Sequence, residues 1–282
     1  MNFSTHKNIL LDGKHNKPIL LDAYLPEESK IEHTIIYCHG FKGFKDWGTN
    51  DILAHFFAER GINFIKFNFS HNGGTPKQPI DFPDLEAFGN NNFTKELDDL
   101  DSVLNWIDHQ NDFETLSARQ GVTIMGHSRG SGTAIIKASE DTRIEKVISL
   151  AGVSNFKARF IDDATLKHWK EKGVIYVENS RTKQQMPLYY QIAEDINNHP
   201  ERLNIENAAK KLNKPHLIIH GTNDPTVDSE EAKALHQWSN NSTLKIIEGA
   251  DHVFNVKHPW NGSQLPNEFV QMKKLCLDFI VE

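Results

Sequence analysis

A single serine between two glycines is the residue of this sequence best placed to do chemistry. Ser128 is the central residue of GHSRG, at 126–130, after the β-type run VTIM and before the helical stretch GSGTAIIKASE. So tight a strand-to-helix turn needs residues without bulk two positions on either side of the serine. The hydroxyl is then raised at the positive, N-terminal end of the following helix. We therefore predict that Ser128 is a nucleophile.

A serine nucleophile needs a base to accept its proton, and the base needs a carboxylate to orient it. Two later segments place these groups just after β-type runs: LIIHGTNDPTV contains Asp224, and LKIIEGADHVF contains His252. Their order along the chain, serine, acid, histidine, is the one that goes with this kind of turn. We predict His252 as the base and Asp224 as the acid. Asp228 is the main alternative for the acid, and Asp251 is a weaker one.

The negative oxygen that forms during acyl transfer needs hydrogen-bond donors. The backbone N–H of Arg129, directly after the nucleophile, is expected to be one of them. The second is expected from the loop after an earlier strand, in IIYCHGFKGFKDWG, where we assign the backbone N–H of Phe41. Gly40 and Gly43 allow this loop to approach the substrate closely.

The chain resembles an α/β-hydrolase over nearly its whole length, because it contains HGFKG, GHSRG, HGTND and DH in that order. Within that superfamily it resembles the cinnamoyl and feruloyl esterases, the dienelactone-hydrolase-like group and the hydrolase domain of prolyl-oligopeptidase-type peptidases. The resemblance implies acyl transfer through an acyl-enzyme on Ser128, with no metal and no organic cofactor. The chain lacks the lipase-type Gly-Gly-Gly loop, and we find no N-terminal propeller of the kind that the large oligopeptidases carry.

Apolar β-type runs alternate with amphipathic helical stretches along the chain, which predicts a mostly parallel sheet with helices on both faces. We expect one α/β-hydrolase domain over 1–282. Residues 154–212 are too long for one crossover helix, and we interpret them as an inserted cap over the strand ends, similar to the small cap of the cinnamoyl esterases. Residues 71–92 are rich in Pro, Gly and Asn. So long a loop is functional or disordered in most compact domains.

The composition excludes several classes of partner. The 282 residues carry a net charge of −7 and no long basic run, which argues against nucleic acid and anionic membranes as partners. No run of apolar residues is long enough to span a bilayer, and the first residues do not have the pattern of a signal peptide. Cys38 and Cys276 lie in apolar stretches, which indicates core residues. We expect a cytoplasmic protein; a homodimer is left open.

The substrate is the least determined part of the prediction. A mostly apolar pocket favours an ester with a small or medium acyl group, so we predict a carboxylesterase of cinnamoyl or similar type. An aminopeptidase or acyl-peptide hydrolase, a thioesterase or lysophospholipase-like enzyme, and a non-catalytic binding protein remain alternatives. The cationic candidates for a substrate carboxylate are Arg159, Arg181 and Lys183, although solvated surface is the better interpretation. The aromatic and thioether candidates for the pocket are Phe156, Phe160, Trp169, Tyr176, Met186, Tyr189 and Tyr190, with Phe41, Phe44 and Trp47 near the oxyanion loop.

Overall fold

A twisted eight-stranded sheet runs through the centre of the protein, with strand order β1-β2-β4-β3-β5-β6-β9-β10. The computed structural model describes residues 2–27, 33–109, 121–159 and 163–282. From β4 to β10 in that order the strands are parallel, and β1 and β2 join antiparallel at one edge. The strands of this sheet are β1 Phe3–Leu11, β2 Ile19–Pro26, β3 His33–Cys38, β4 Asn63–Asn68, β5 Gly121–His127, β6 Ile144–Leu150, β9 His216–Gly221 and β10 Ser242–Ile247.

Helices cover both faces of the sheet, as the alternating pattern predicts. Along β3 the side chains alternate between two buried apolar clusters, because successive residues of a strand point to opposite faces. Ile36 and Cys38 pack with the helices on one face, and Ile35 and Tyr37 pack with α1, Asn50–Ala58, and α9, Asn267–Val281, on the other. The helices are α1 Asn50–Ala58, α2 Leu85–Gly89, α3 Phe93–His109, α4 Arg129–Glu140, α5 Asp163–Lys172, α6 Gln191–Asn198, α7 Ile205–Lys211, α8 Ser229–Trp238 and α9 Asn267–Val281.

The segment between β6 and β9 departs from the strand–helix alternation. It contains a 3-10 turn at Lys157–Arg159, α5, a separate two-stranded hairpin and the helices α6 and α7. The hairpin strands are β7, Val174–Glu178, and β8, Gln185–Tyr189, which pair antiparallel. Helix α5 includes most of the stretch LKHWKEKG, and the hairpin lies within VIYVENSRTKQQMPLYY. Phe160 of the predicted pocket lies outside the described residues.

The long loop at 71–92 packs against the body of the protein through its aromatic residues. Phe82 and Phe88 are buried, and they form a small cluster with Phe44 of the loop after β3 and Met186 of the hairpin. The loop therefore joins two segments that are far apart in sequence: the one that follows β3 and the inserted hairpin. Both of these segments contribute to the cavities around Ser128.

Candidate active site

Ser128 lies at the tight turn between β5 and α4, in a backbone conformation that side chains rarely adopt, with φ 54° and ψ −119°. The flanking glycines are needed because the chain folds back on itself here. A Cβ at Gly126 would lie 2.4 Å from the Gly130 carbonyl oxygen. A Cβ at Gly130 would lie 2.5 Å from the carbonyl oxygens of Cys38 and His39. Since both contacts are with backbone atoms, neither position has room for a side chain.

Asp224 and His252 meet at the carboxyl ends of β9 and β10, as their positions in the sequence predicted. His252 Nδ1 lies 2.7 Å from Asp224 Oδ2. The Asp224 side chain is almost fully buried, and burial alone raises the pKa of its carboxyl group. The hydrogen bonds from His220, His252 and the Val227 N–H outweigh burial and hold that pKa well below its usual range. Asp224 is therefore ionised and can fix the tautomer of His252.

The two alternative acids have other partners. Asp228 caps the N-terminus of α8, where its side chain accepts a hydrogen bond from the Glu230 N–H at 3.0 Å. Asp251 accepts from the Val253 and Asn255 N–H groups in the turn after β10. Both carboxylates satisfy local backbone donors, so of the three predicted acids Asp224 is the one that contacts the His252 ring.

His252 and Ser128 line the same cavity, although the described residues show no hydrogen bond between their side chains. In enzymes without substrate such bonds are often long and tighten only when substrate binds. The backbone of His252 is held by a neighbour of the serine, since His127 Nε2 lies 2.9 Å from the His252 carbonyl oxygen. Burial lowers the pKa of His127 to about 3. The ring is therefore neutral and donates its Nε2–H to that carbonyl.

The predicted oxyanion donors lie on either side of Ser128. Arg129 is the first residue of α4, where an N–H has no acceptor within the helix. Within the described part of the chain, the Phe41 and Arg129 N–H groups have no hydrogen-bond partner. The loop that carries Phe41 passes very close to Ser128: a Cβ added at Gly40 would lie 2.9 Å from Ser128 Cβ. This geometry leaves both donors available near the serine.

A buried ionic cluster underlies the Phe41 loop. Lys45 Nζ lies 2.9 Å from Asp22 and 2.7 Å from Asp46, and Lys66 Nζ lies 2.9 Å from Asp22 and 2.7 Å from Asp51. Lys66 also pairs with Asp46. Burial lowers the pKa of Lys66, but the three carboxylates raise it to a net value above its usual range. These carboxylates are close enough together to hold a cation. The ammonium groups of Lys45 and Lys66 supply the positive charge that balances them.

Two cavities meet at Ser128 and share the Phe41 side chain. The larger, of about 260 Å³, extends beneath the inserted segment. The smaller, of about 150 Å³, includes His127 and His252. Most residues that line the larger cavity are apolar: Phe41, Phe93, Val153, Phe156, Leu166, Trp169, Ile175, Val177, Leu188, Ile192 and Val227.

Comparison with known proteins identifies the family. The profile of the family described as "Putative esterase" matches residues 14–274. The chain belongs to this esterase family. A curated relative, an uncharacterized 31.7 kDa protein from the traX–finO intergenic region in Escherichia coli, is 24% identical over 279 residues, covering 86% of this chain and 90% of its own.

Solved structures of hydrolases share the fold of this esterase-family chain. Est1E from Butyrivibrio proteoclasticus superposes with a TM-score of 0.67 at 17% identity, covering 98% of this chain and 100% of its own. A dienelactone hydrolase from Anabaena variabilis gives a TM-score of 0.64 at 14% identity, covering 99% of this chain and 97% of its own. The expected α/β-hydrolase fold is therefore confirmed.

Not all of the predicted pocket residues line the cavities of this esterase-family protein. Phe156 and Trp169 line the larger cavity, and Trp47 lines the smaller. Tyr176 is 60% exposed on the outer surface of the hairpin. The others have different surroundings in the structure: Phe44 and Met186 lie in the Phe82 cluster, Tyr189 donates its hydroxyl to Glu86, and Tyr190 packs against Trp169.

Two of the three predicted cationic candidates contact acids instead. Arg181 pairs with Asp81, and Lys183 lies 3.3 Å from Glu178. Nothing is described for the Arg159 side chain. Cys38 and Cys276 are free and buried, as expected. None of the described helices is long and apolar enough to cross a membrane.

Three residues that contribute to the site were missed by reasoning from sequence. His127 holds the His252 backbone, and His220 contacts Asp224 Oδ2 at 3.2 Å. Glu96, on α3, pairs with the Arg129 guanidinium. The histidines could have been suspected from their positions beside Ser128 and at the end of β9. Glu96 offered no such signal, because it lies on a helix far from every motif.

Proposed function

We propose that this protein is a serine esterase that hydrolyses carboxylic esters with small to medium, largely apolar acyl groups. The observation that carries the proposal is the hydrogen bond between Asp224 and His252 at the cavity that holds Ser128. Membership of the esterase family supports the same chemistry. Ester hydrolysis needs a nucleophile, a base with an orienting acid and an oxyanion site, and each has a candidate here.

The reaction begins when Ser128 Oγ attacks the ester carbonyl carbon and His252 Nε2 accepts the hydroxyl proton. The backbone N–H groups of Phe41 and Arg129 stabilise the negative oxygen of the tetrahedral intermediate. His252 then returns the proton to the leaving alcohol as the carbon–oxygen bond breaks, which leaves an acyl group on Ser128. Water repeats the sequence, with His252 as base, to release the acid and regenerate the serine. Asp224 keeps the His252 ring in the tautomer that this shuttle needs.

The positions of the two cavities support an assignment for the two halves of the substrate. The leaving alcohol must lie close to His252, which protonates it, and His252 lines the smaller cavity but not the larger. The acyl group therefore occupies the larger cavity beneath the inserted segment. A cavity of about 260 Å³ with mostly apolar walls suits an aliphatic or aryl acyl chain. Est1E, which shares the fold, has also been solved with ferulic acid bound, and this supports testing cinnamoyl-type esters.

The test compares wild type, Ser128→Ala and Ser131→Ala on p-nitrophenyl acetate, butyrate and hexanoate, methyl ferulate, and aminoacyl and acyl-peptide anilides. Ser131 is the matched control, because its buried hydroxyl has no partner in the described residues and lies outside the proposed machinery. We expect ester turnover and labelling by a fluorophosphonate probe in wild type and Ser131→Ala, and neither in Ser128→Ala. Faster cleavage of an anilide than of every ester would establish a peptidase instead. If no compound is turned over and the probe does not label Ser128, the serine esterase proposal is wrong.

A further inference from the structure

Among the described residues lining the larger cavity, Arg129 is the one with a charged side chain. Its guanidinium carbon lies 5.0 Å from the centre of the Phe41 ring and 5.6 Å from that of Phe93, both of which line the same cavity. The side chain is only 15% exposed. A guanidinium therefore forms part of an otherwise apolar wall, on the residue that directly follows the proposed nucleophile.

The charge of Arg129 is balanced inside the protein. Its Nη2 donates to Oε1 of Glu96, which is 1% exposed. The Glu96 carboxylate is held in turn by the Asn91 amide at 2.8 Å and by the Thr133 hydroxyl at 3.1 Å. The pair as a whole is neutral. A buried ion pair is weak evidence for stability, because apolar residues of the same volume often stabilise a fold as well.

Most of the N–H donors of the Arg129 guanidinium have no acceptor among the described residues. A guanidinium has five N–H donors, and the bond to Glu96 is the hydrogen bond that this side chain makes within the described residues. Ring faces cover part of the group, but they do not replace an oxygen acceptor. No Arg129 nitrogen is among the described buried polar atoms that lack a partner, so the spare donors are open to the cavity. A ligand that fills the cavity shuts them off from water, which is costly unless the ligand itself brings an acceptor.

We propose that the spare donors of Arg129 bind an oxygen atom in the acyl chain, so that the preferred substrates are esters of neutral, oxygen-bearing acids. An ether, hydroxyl or keto oxygen in the chain would provide the acceptor. A neutral group is favoured over a carboxylate, because Glu96 already balances the arginine and a second anion would carry an unpaired charge into an apolar cavity. This inference rests on the proposed esterase function and on the acyl group occupying the larger cavity.

The experiment is a scan of one oxygen atom along an acyl chain of constant length. The probes are p-nitrophenyl hexanoate and its 3-oxa, 4-oxa and 5-oxa analogues, in which one methylene is replaced by oxygen, together with p-nitrophenyl hydrogen glutarate. The enzymes are wild type and the double variant Arg129→Met/Glu96→Gln, in which neither partner is left as an unpaired buried charge. Arg129→Lys keeps the charge without the planar fork of donors. Arg60→Met is the matched control, since Arg60 stacks on Phe56 away from both cavities.

For each enzyme, the kcat/KM of each oxa ester is divided by the kcat/KM of hexanoate. This ratio is then compared between wild type and each variant. This second comparison cancels the effect of the oxygen on the intrinsic reactivity of the ester. We expect the double variant to lower the ratio about tenfold or more for at least one oxa position, in line with the loss of a hydrogen bond from a charged donor. Arg129→Lys should lie between wild type and the double variant, and Arg60→Met should match wild type.

Equal ratios in wild type and the double variant at every position would overturn the inference. If hexanoate and the oxa esters lose kcat to the same extent, Arg129 acts through the packing of Phe41 and is a positioning residue instead. A wild-type preference for the glutarate ester over hexanoate would overturn the neutral substrate class. Hydrolysis of hexanoate by wild type tests the esterase function separately, so that a failed inference and a failed proposal of function can be told apart.

Discussion

At the scale of single residues, the contacts of the acidic side chains distinguish the acid that reaches His252 from the acid that caps a helix. We expect Asp224→Asn to lower kcat by about 10³–10⁴-fold, because an amide cannot hold His252 in the required tautomer. Asp228→Asn keeps a side chain that can cap α8 and should leave kcat close to wild type, with unfolding changed by a few tenths of a kcal/mol. Steady-state kinetics on p-nitrophenyl butyrate check both. A large loss of kcat in Asp228→Asn with little change in Asp224→Asn would reverse the assignment.

Residue types and order along the chain were enough to predict which groups meet at the site. Ser128, Asp224 and His252 were predictable because each follows a strand directly, and parallel strands bring their carboxyl ends to one edge of a sheet. Glu96 was not predictable, because its contact with Arg129 depends on how α3 packs against α4. A contact between two helices is set by tertiary packing and leaves no short pattern in either segment.

At the scale of elements, the inserted hairpin forms one wall of the larger cavity with one side of its strands. Ile175 and Val177 of β7 line the cavity, while Tyr176 between them is exposed. Leu188 of β8 lines the same wall. Because side chains alternate along a strand, substitutions on the two sides of this hairpin should have different effects on substrate choice.

We expect Leu188→Phe to lower kcat/KM for p-nitrophenyl hexanoate more than for the acetate, because the larger ring fills part of the acyl cavity. Leu188→Ala should shift the preference towards longer chains. Tyr176→Phe is the control from the outer surface and should leave the ratio of hexanoate to acetate unchanged. If Leu188→Phe affects acetate and hexanoate equally, the acyl chain does not reach this wall.

At the scale of the whole molecule, five histidines whose pKa values are lowered to about 3 or 4 couple stability to pH. Burial lowers the pKa of His127 and His216 to about 3, and of His33, His39 and His71 to about 4. In the unfolded chain a histidine takes up its proton near pH 6.5. Below that pH the unfolded state binds more protons than the folded state, so stability falls as the pH falls from about 6.5 towards 4.

Asp99 acts in the opposite direction. Burial raises its pKa to about 7, so its contribution is present at low pH and is lost as the pH rises through 7. Asp99 opposes these five histidines, each of which should cost about 2 kcal/mol at pH 5. We therefore expect the free energy of unfolding in urea to decrease from pH 7.5 to pH 5. His216→Asn should flatten this dependence; constant or rising stability on acidification would contradict the prediction.

The ionic cluster beneath the Phe41 loop also limits how this enzyme can be recombined with its relatives. Lys45 and Asp46 belong to the loop, whereas their partners Asp22 and Lys66 belong to β2 and β4. A chimera that imported only a foreign loop would take Lys45 from Asp22 and Asp46 from Lys66. The two host charges would keep each other, and Lys66 would keep Asp51, but each would lose a partner in a buried site, which destabilises the fold. Gene shuffling should therefore place its crossover points outside residues 22 to 66, so that strands and loop are inherited as one block.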